Sequence, residues 1–592
     1  MKKVVALLFM ILICLGVFAG CGNTETASNN GSENGSSSEI ELSTVDVAYL
    51  DKNGEAIYSI VSAEGSSKTL TAYLFKKMTG TLGTNIKNIT DEQDGTDAFE
   101  ILIGETNRPE TAFAKKYLAK TAGGRYKDYI ICTVNKKIVI YSRDEDSISD
   151  ACKYFVENFL KAEGVKGGIM YTFAFQGDYI DPKINGTKLG MFSFVKQRFS
   201  ESYITQLAIE ESNELLFEKT GYLIDVVEDH NAASEYEIII GNANREGVTA
   251  MTDKDLYSIT ISGKKVYLNG GSPQARAMAV YEFAKMITSG DIVDGNSISN
   301  LSYSQIAASY DSSKYYSLSW GDDFDAPVEG HATGIDLTKW DFGTDVAEGH
   351  NGRTSVRSQD PTQLYVKDGL LHFYSSYDDN YYYGFQLHSR YKMRFKYGIL
   401  EMNAILPDGG GMWTALWAVS HDSESPAAFK TEVNVCEMFG NSAVEASNMH
   451  GWLKDHRKDY YNSKWAPEGV GEHFSLDVKE YHNLKRYTCP DGKFNNGFHT
   501  FTYIWDENIC AFACDGNKYF ELNVNEKEVW KETFSQYLYV IISQATGYAS
   551  QQSCAADNDP AWQESNNFLI DYVHVYQKND EVHLIKEGSL NN

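Results

Sequence analysis

The run Glu432-Val433-Asn434-Val435-Cys436-Glu437 carries two carboxyl groups five residues apart. On a β-strand, side chains alternate between faces, so Glu432 and Asn434 share a side and Glu437 falls on the other. One bulge residue returns Glu437 to the shared face. The two Cα atoms then lie about four strand rises apart, roughly 13 Å. Inward-leaning side chains and strand curvature close that gap toward the ~5–5.5 Å that double-displacement cleavage of a glycoside needs between its carboxyl groups. Such chemistry uses one ionised carboxylate as nucleophile and one protonated carboxyl as acid, then base. Taken alone the pattern is weak, because many surface strands carry glutamates at this spacing.

The surrounding elements must be strands for this to work. From about residue 316 the sequence reads as short alternating strands separated by turns. Tyr397–Pro407, Phe498–Trp505, Ile509–Cys514 and Leu569–Tyr576 are strand candidates, and Asp515-Gly516 is a strong hairpin-turn signal. Regularly spaced strands over some 260 residues predict an all-β sandwich or jelly roll. Trp413 and Trp417 suit either stacking on a sugar face or a place in the core. His450, soon after the acids, is either a ligand contact or a packed histidine.

The hexapeptide resembles the bulged E-x-D-x-x-E motif of family 16 glycoside hydrolases, and its flanks agree. Lys396-Tyr397-Gly398 resembles the segment leading to the family's cleft, and Gly411-Met412-Trp413-Thr414-Ala415-Leu416-Trp417 resembles its G-x-W-P-A-x-W. Phe498-His499-Thr500 with Trp505 resembles F-H-x-x-x-x-x-W, and Ile570-Asp571-Tyr572-Val573-His574-Val575-Tyr576 resembles the final strand. The resemblance runs from about 318 to 578. It implies a concanavalin A-like jelly roll and a retaining endo-β-glycosidase that acts on a β-glucan or galactan and requires no cofactor. Glu432 would be the nucleophile and Glu437 the acid/base. Trp413, Trp417 and His450 would line the substrate cleft. The Gly369 carbonyl and Asp571 resemble positions that hold a structural calcium in parts of the family. Asn434 departs from the pattern, which has aspartate there. An amide can donate a hydrogen bond to Glu432 and favour its charged form, but it cannot carry a proton between steps. Ser425–Thr431 lacks the Gly-Trp of laminarinase-like members, which lowers laminarin among the substrates.

Ahead of this region the sequence repeats itself. Glu100-Ile101-Leu102-Ile103-Gly104 with Asn107-Arg108 recurs as Glu237-Ile238-Ile239-Ile240-Gly241 with Asn244-Arg245. Asn135–Ile140 recurs as Gly263–Leu268, with a shorter intervening loop. Each copy reads as an early helix, a buried strand ending in Gly, two further strands and a closing helix. Ser272 and Pro273 supply the N-cap and first turn of the second closing helix, whose apolar face is Ala275, Ala279, Phe283, Met286 and Ile287. In the first copy Ile148, Cys152, Phe155 and Phe159 form that face. The pattern is similar to the non-catalytic α/β domains ahead of hexosaminidase and α-glucuronidase barrels. Neither copy shows a convergent acid, base or metal set, so each is read as a spacer or an auxiliary sugar-binding module.

At the N-terminus, Lys2-Lys3, an apolar run from Val4 to Ala19 and Gly20-Cys21 form a signal-peptide pattern. It resembles a bacterial lipobox, which implies lipid on Cys21; the alternative is an ordinary signal peptide cleaved nearby. Residues 22–40, almost all Gly, Asn, Ser, Thr and Glu, cannot bury apolar surface and read as a tether. The expected organisation is signal 1–21, tether 22–44, tandem α/β domains 45–178 and 179–312, sandwich 313–578 and tail 579–592. The protein would then sit on the membrane, facing outward. A net charge of −28 argues against nucleic acid as a partner. Seven cysteines beyond Cys21 are scattered with no zinc-like spacing, and Cys510 and Cys514 are too far apart on one strand to bridge. Two other functions compete: a carbohydrate-binding protein impaired by Asn434, and a surface interaction protein worked by the α/β pair.

Overall fold

The computed structural model describes residues 40–66, 68–93, 95, 98–289, 297–298, 302–306, 315–420, 429–440, 446–453, 473–477, 487–547, 567–578 and 584–586. Cys21, most of the tether, residues 425–428 and Cys554 lie outside them.

Two six-stranded mixed sheets come first. The first holds β1 (Ser59–Ser62), β2 (Lys87–Thr90), β3 (Glu100–Ile103), β4 (Tyr129–Val134), β5 (Lys137–Ser142) and β6 (Met170–Phe173), in the order β2-β1-β3-β5-β4-β6. The second holds β7 (Ser193–Lys196), β8 (Asp225–Glu228), β9 (Glu237–Ile240), β10 (Leu256–Ser262), β11 (Lys265–Gly270) and β12 (Ser302–Ile306), in the order β8-β7-β9-β11-β10-β12. The strand orders are the same. Helices α1 (Lys68–Leu82), α2 (Pro109–Thr121) and α3 (Glu145–Asn158) accompany the first sheet, α4 (Tyr203–Thr220) and α5 (Pro273–Ser289) the second. The repeated Arg does the same work in each copy. Arg108 pairs with Glu100 at 3.1 Å and donates to the Asp91 and Gln93 carbonyls; Arg245 pairs with Glu237 at 3.0 Å and donates to those of Asp229 and Asn231. A buried glutamate thereby staples the loop that follows the edge strand, β2 in one copy and β8 in the other. Helix α2 was not anticipated. It starts at Pro109, which suits a first helical turn, and has no counterpart in the second copy, where residues 241–255 cross the gap as turns.

The C-terminal region is a two-sheet sandwich. One sheet runs β14 (Leu364–Lys367), β15 (Leu370–Tyr374), β26 (Asn567–Lys578), β17 (Gly398–Ile405), β22 (His499–Trp505), β23 (Ile509–Cys514), β24 (Asn517–Asn523), with β13 (Tyr316–Asp322) also on β26. The other contains β16 (Tyr381–His388), β25 (Leu538–Thr546), β18 (Met412–Ser420), β19 (Phe429–Phe439), β20 (Ala446–Leu453) and β21 (His473–Asp477), neighbours in that order. Leu400, Met402, Phe501, Tyr503, Phe512, Val573 and Val575 of the first sheet meet Leu416, Ala418, Val433, Val435, Val540 and Ile542 of the second in one core. The Asp515-Gly516 hairpin has positive φ at both residues (49° and 74°), as the type I′ turn requires.

The outer face of the first sheet is also buried. Ile399, Glu401, Asn403, Thr500, Thr502 and Ile504 alternate with the core residues and point at helix α4. Tyr203 and Ile204 pack on Ile399, Ile504, Ala511, Ala513 and Tyr576. Glu401, fully buried, accepts from Ser202 Oγ (2.7 Å), the Tyr203 backbone N–H (2.8 Å), Tyr572 Oη (2.8 Å) and Thr502 Oγ1 (3.2 Å). Ser202 precedes the helix but spends its hydroxyl on Glu401, so the sandwich supplies the carboxylate that caps α4. Asp515 accepts the Ser200 N–H at 2.8 Å and Lys196 reaches Asn517 at 2.9 Å. Glu401→Ala strands these donors in a dry interface at about 1–3 kcal/mol each, not fully additive. The expected result is a loss of at least about 3 kcal/mol, read as a lower urea midpoint, with Glu401→Gln losing less; a wild-type midpoint for Glu401→Ala would refute the account.

Candidate active site

The acids sit on β19, and the sheet around them sets their geometry. Against β18, Val419 faces Glu432, Trp417 faces Asn434, Leu416 faces Cys436 and Ala415 faces Glu437. Val435 has no partner and is the extra residue. Val435 and Cys436 consequently both point into the core, and Glu432, Asn434 and Glu437 share the opposite face. The bulge is held from the other side, where Ser447 Oγ donates to the Val435 carbonyl at 2.8 Å.

This face continues across five strands in register. His450, Glu432, Val419 and Tyr539 form one row. Asn448, Asn434, Trp417, Ile541 and His388 form the next, followed by Ala446, Glu437, Ala415, Ser543 and Gln386. Trp413 lies beyond, opposite Phe439. Trp413 and Trp417 are both half-buried on the acid face, not in the core. Trp413 Nε1 donates to Glu437 Oε1 at 3.2 Å, and Trp417 Nε1 to Ser543 Oγ at 3.1 Å, so both rings are tethered. His450 stands directly across from Glu432, its ring 5.8 Å from that of Trp452.

Glu432 is held by two donors. Asn434 Nδ2 approaches Oε1 at 3.4 Å, and Trp452 Nε1 donates to Oε2 at 3.0 Å. Sequence reasoning missed Trp452, although it follows His450 by two positions and so shares its face. Burial dominates the charge of Glu432 and pushes its carboxyl above the usual range, against the opposing influence of Asn434, Lys430 and Trp452. The expectation that Asn434 would set the charge state is thus only one part of the balance: loss of water outweighs the amide and indole donors.

Gly369 lies in the turn between β14 and β15 with φ 79°, and Leu371 of β15 pairs with Ile570, next to Asp571. Burial raises the Asp571 carboxyl, with Lys254 opposing and Asp323 reinforcing the rise. An aspartate and one carbonyl have the right oxygen chemistry for calcium but fall short of the six to eight ligands it takes, and Lys254 competes for the same charge. No step of the chemistry is assigned to that ion.

Residues 347–573 match the family model described as glycosyl hydrolases family 16. The chain is 25% identical over 292 residues to glucan endo-1,3-beta-glucosidase A1 of Niallia circulans, covering 44% of this chain and 38% of that protein. It is 23% identical over 283 residues to a beta-glucanase of Rhodothermus marinus, covering 45% of this chain and 87% of that one. Among solved structures, the laminarinase catalytic domain from Thermotoga maritima MSB8 aligns with a TM-score of 0.31 at 22% identity, over 44% of this chain and 98% of the other. The chain thus spans well under half the length of the first of these relatives. The stretch that matches this family model, 347–573, is the one that carries the bulged acid strand.

Proposed function

We propose that this chain is a surface-anchored retaining endo-β-glycosidase that hydrolyses a β-linked glucan or galactan. The observation that carries this reading is the placement of Glu432 and Glu437 on one face across the Val435 bulge, beside two tethered tryptophans of the neighbouring strand. Glu432 attacks the anomeric carbon while Glu437 protonates the departing glycosidic oxygen. Glu437 then takes a proton from water, which displaces the sugar from Glu432. Two relatives that share this region carry names of β-glucan-cleaving enzymes, which favours a β-glucan. A second reading, a carbohydrate-binding protein with little turnover, is favoured by Asn434, a fixed donor where a proton-sharing group would assist both steps. A panel of β-glucans and galactans assayed for new reducing ends decides between them: binding without cleavage by the wild type supports the second.

On a cleaved substrate, Glu432→Gln and Glu437→Gln should each lower kcat by roughly 10²–10⁴-fold or more with the fold intact. The first product should be the β-anomer by time-resolved NMR. Wild-type turnover in either variant, or an initial α-anomer, rules out the assignment.

The nucleophile must be ionised, so its raised pKa should set the acidic limb of kcat/KM above that of an ordinary glutamate. Trp452→Phe removes an N–H that favours the ionised form, which raises the pKa further. The acidic limb should therefore move to higher pH with the basic limb unchanged. A limb that stays put, or moves down, means the indole does not steady the charge of Glu432.

Anchoring rests on the lipobox pattern alone. Cys21→Ala should shift the protein from the membrane fraction to the medium, or leave the precursor uncut; unchanged membrane association counts against the anchor.

A further inference from the structure

We propose that Cys489, Asp491 and His499 form a site for one zinc ion or a similar divalent cation, on the sheet that carries Glu401. Cys489 Sγ lies 2.7 Å from Asp491 Oδ1 and 3.8 Å from His499 Nε2, and those last two atoms are 3.7 Å apart. Zinc at about 2.3 Å from sulfur and about 2.0–2.2 Å from nitrogen and oxygen sets tetrahedral ligand atoms roughly 3.3–3.6 Å apart. The histidine edges, 3.8 and 3.7 Å, lie just above that range and close with a small shift of the Cys489–Asp491 turn. The sulfur–oxygen edge opens by rotation of Asp491, whose side chain is 26% exposed.

The histidine is prepared for the task. Its ring is fully buried, and Nδ1 lies 2.8 Å from Asp515 Oδ2. The other Asp515 oxygen accepts the backbone N–H groups of Ser200 (2.8 Å) and Thr500 (3.0 Å), so this carboxylate is fixed as an acceptor. Nδ1 therefore carries the hydrogen, and the Nε2 lone pair faces the thiol and the Asp491 carboxylate. A carboxylate behind a ligating imidazole fixes its tautomer and raises its basicity. A thiolate, a carboxylate and a neutral imidazole bring two negative charges to a doubly charged ion. The partial exposure of Asp491 leaves the fourth position open to water.

Cys514 also approaches Asp515, with His499 beside them, but there the carboxylate oxygen already holds the Nδ1 hydrogen, so the Nε2 side is assigned. The order Cys489, His499, Asp515 also resembles a nucleophile, a base and an orienting acid. The thiol is only 4% exposed, which denies a substrate access. The ion would act structurally. It ties the turn at Cys489–Gly492 to β22 and, through Asp515, to Ser200 beside α4. The same segment gives its Phe494 carbonyl to the Leu406 N–H at the end of β17.

The test uses the untagged full chain, stripped with chelator and titrated with ZnCl₂ and CoCl₂. One equivalent of zinc should bind, and cobalt should show a thiolate charge-transfer band. Cys489→Ser should abolish that band. Asp491→Ala, at a partly exposed position that spares the core, should weaken binding at least about tenfold while the far-UV spectrum stays wild type. The proposal is overturned if the folded wild-type chain takes up no zinc. It is equally overturned if cobalt gives the same spectrum in Cys489→Ser.

Discussion

A β-strand repeats every two residues, so two side chains five apart face opposite ways. Catalysis by a pair of carboxyl groups needs both in one cleft. The face that Glu432, Asn434 and Glu437 share depends on breaking that period once, at Val435. Two consecutive residues, Val435 and Cys436, then point inward and must both find room in the core, which they do. The freed carbonyl of the bulge needs a donor, and Ser447 supplies it. The same hydroxyl lies 2.6 Å from Tyr519 Oη, so the irregularity is braced from the far sheet as well. With the bulge in place, the cross-strand register does the rest, aligning the tryptophans and His450 with the acids without further distortion.

The site that results is a compromise between dryness and charge. Enclosing Glu432 strengthens its polar interactions but disfavours its ionised carboxylate, the form that the proposed attack on a sugar requires. Three groups work against that cost: the Asn434 amide, the Lys430 charge and the Trp452 indole. An aspartate at 434 could donate only while protonated and would add a negative charge once ionised. The amide donates at every pH. On this view the departure from the E-x-D-x-x-E pattern exchanges adaptability for a constant field at Glu432, and Trp452, reaching in from β20, supplies the second N–H.

How much of this was legible in the sequence follows from how local each feature is. The bulge, the face shared by Glu432, Asn434 and Glu437, and the type I′ turn at Asp515-Gly516 are properties of a few consecutive residues, and local periodicity reaches them. The repeat was legible for the same reason, since the Glu-to-Arg spacing of each copy encodes one staple. Trp452 was within reach too, two positions beyond His450 on a strand of known period. Helix α2 escaped because the two copies were read as equivalent, and the second copy lacks it.

The features that escaped entirely are those in which one element completes another. In β17 the alternation of Leu400, Met402 and Ala404 with Glu401 and Asn403 reads as a half-buried strand with a wet outer face. That inference holds only if nothing covers the sheet. Helix α4, nearly two hundred residues earlier in the chain, lies across it and makes Glu401 its N-terminal cap. A polar residue at an outward position is consistent with water or with a docked helix terminus, and periodicity cannot distinguish them. The same holds for Cys489, Asp491 and His499, whose spacing matches no ligand motif because the segment that carries the first two is laid onto β22 by tertiary packing. One physical fact underlies both cases. Asp515 receives the Ser200 N–H from the helix side and orients His499 on the other, so the docking that hides the back of the sandwich also fixes the imidazole.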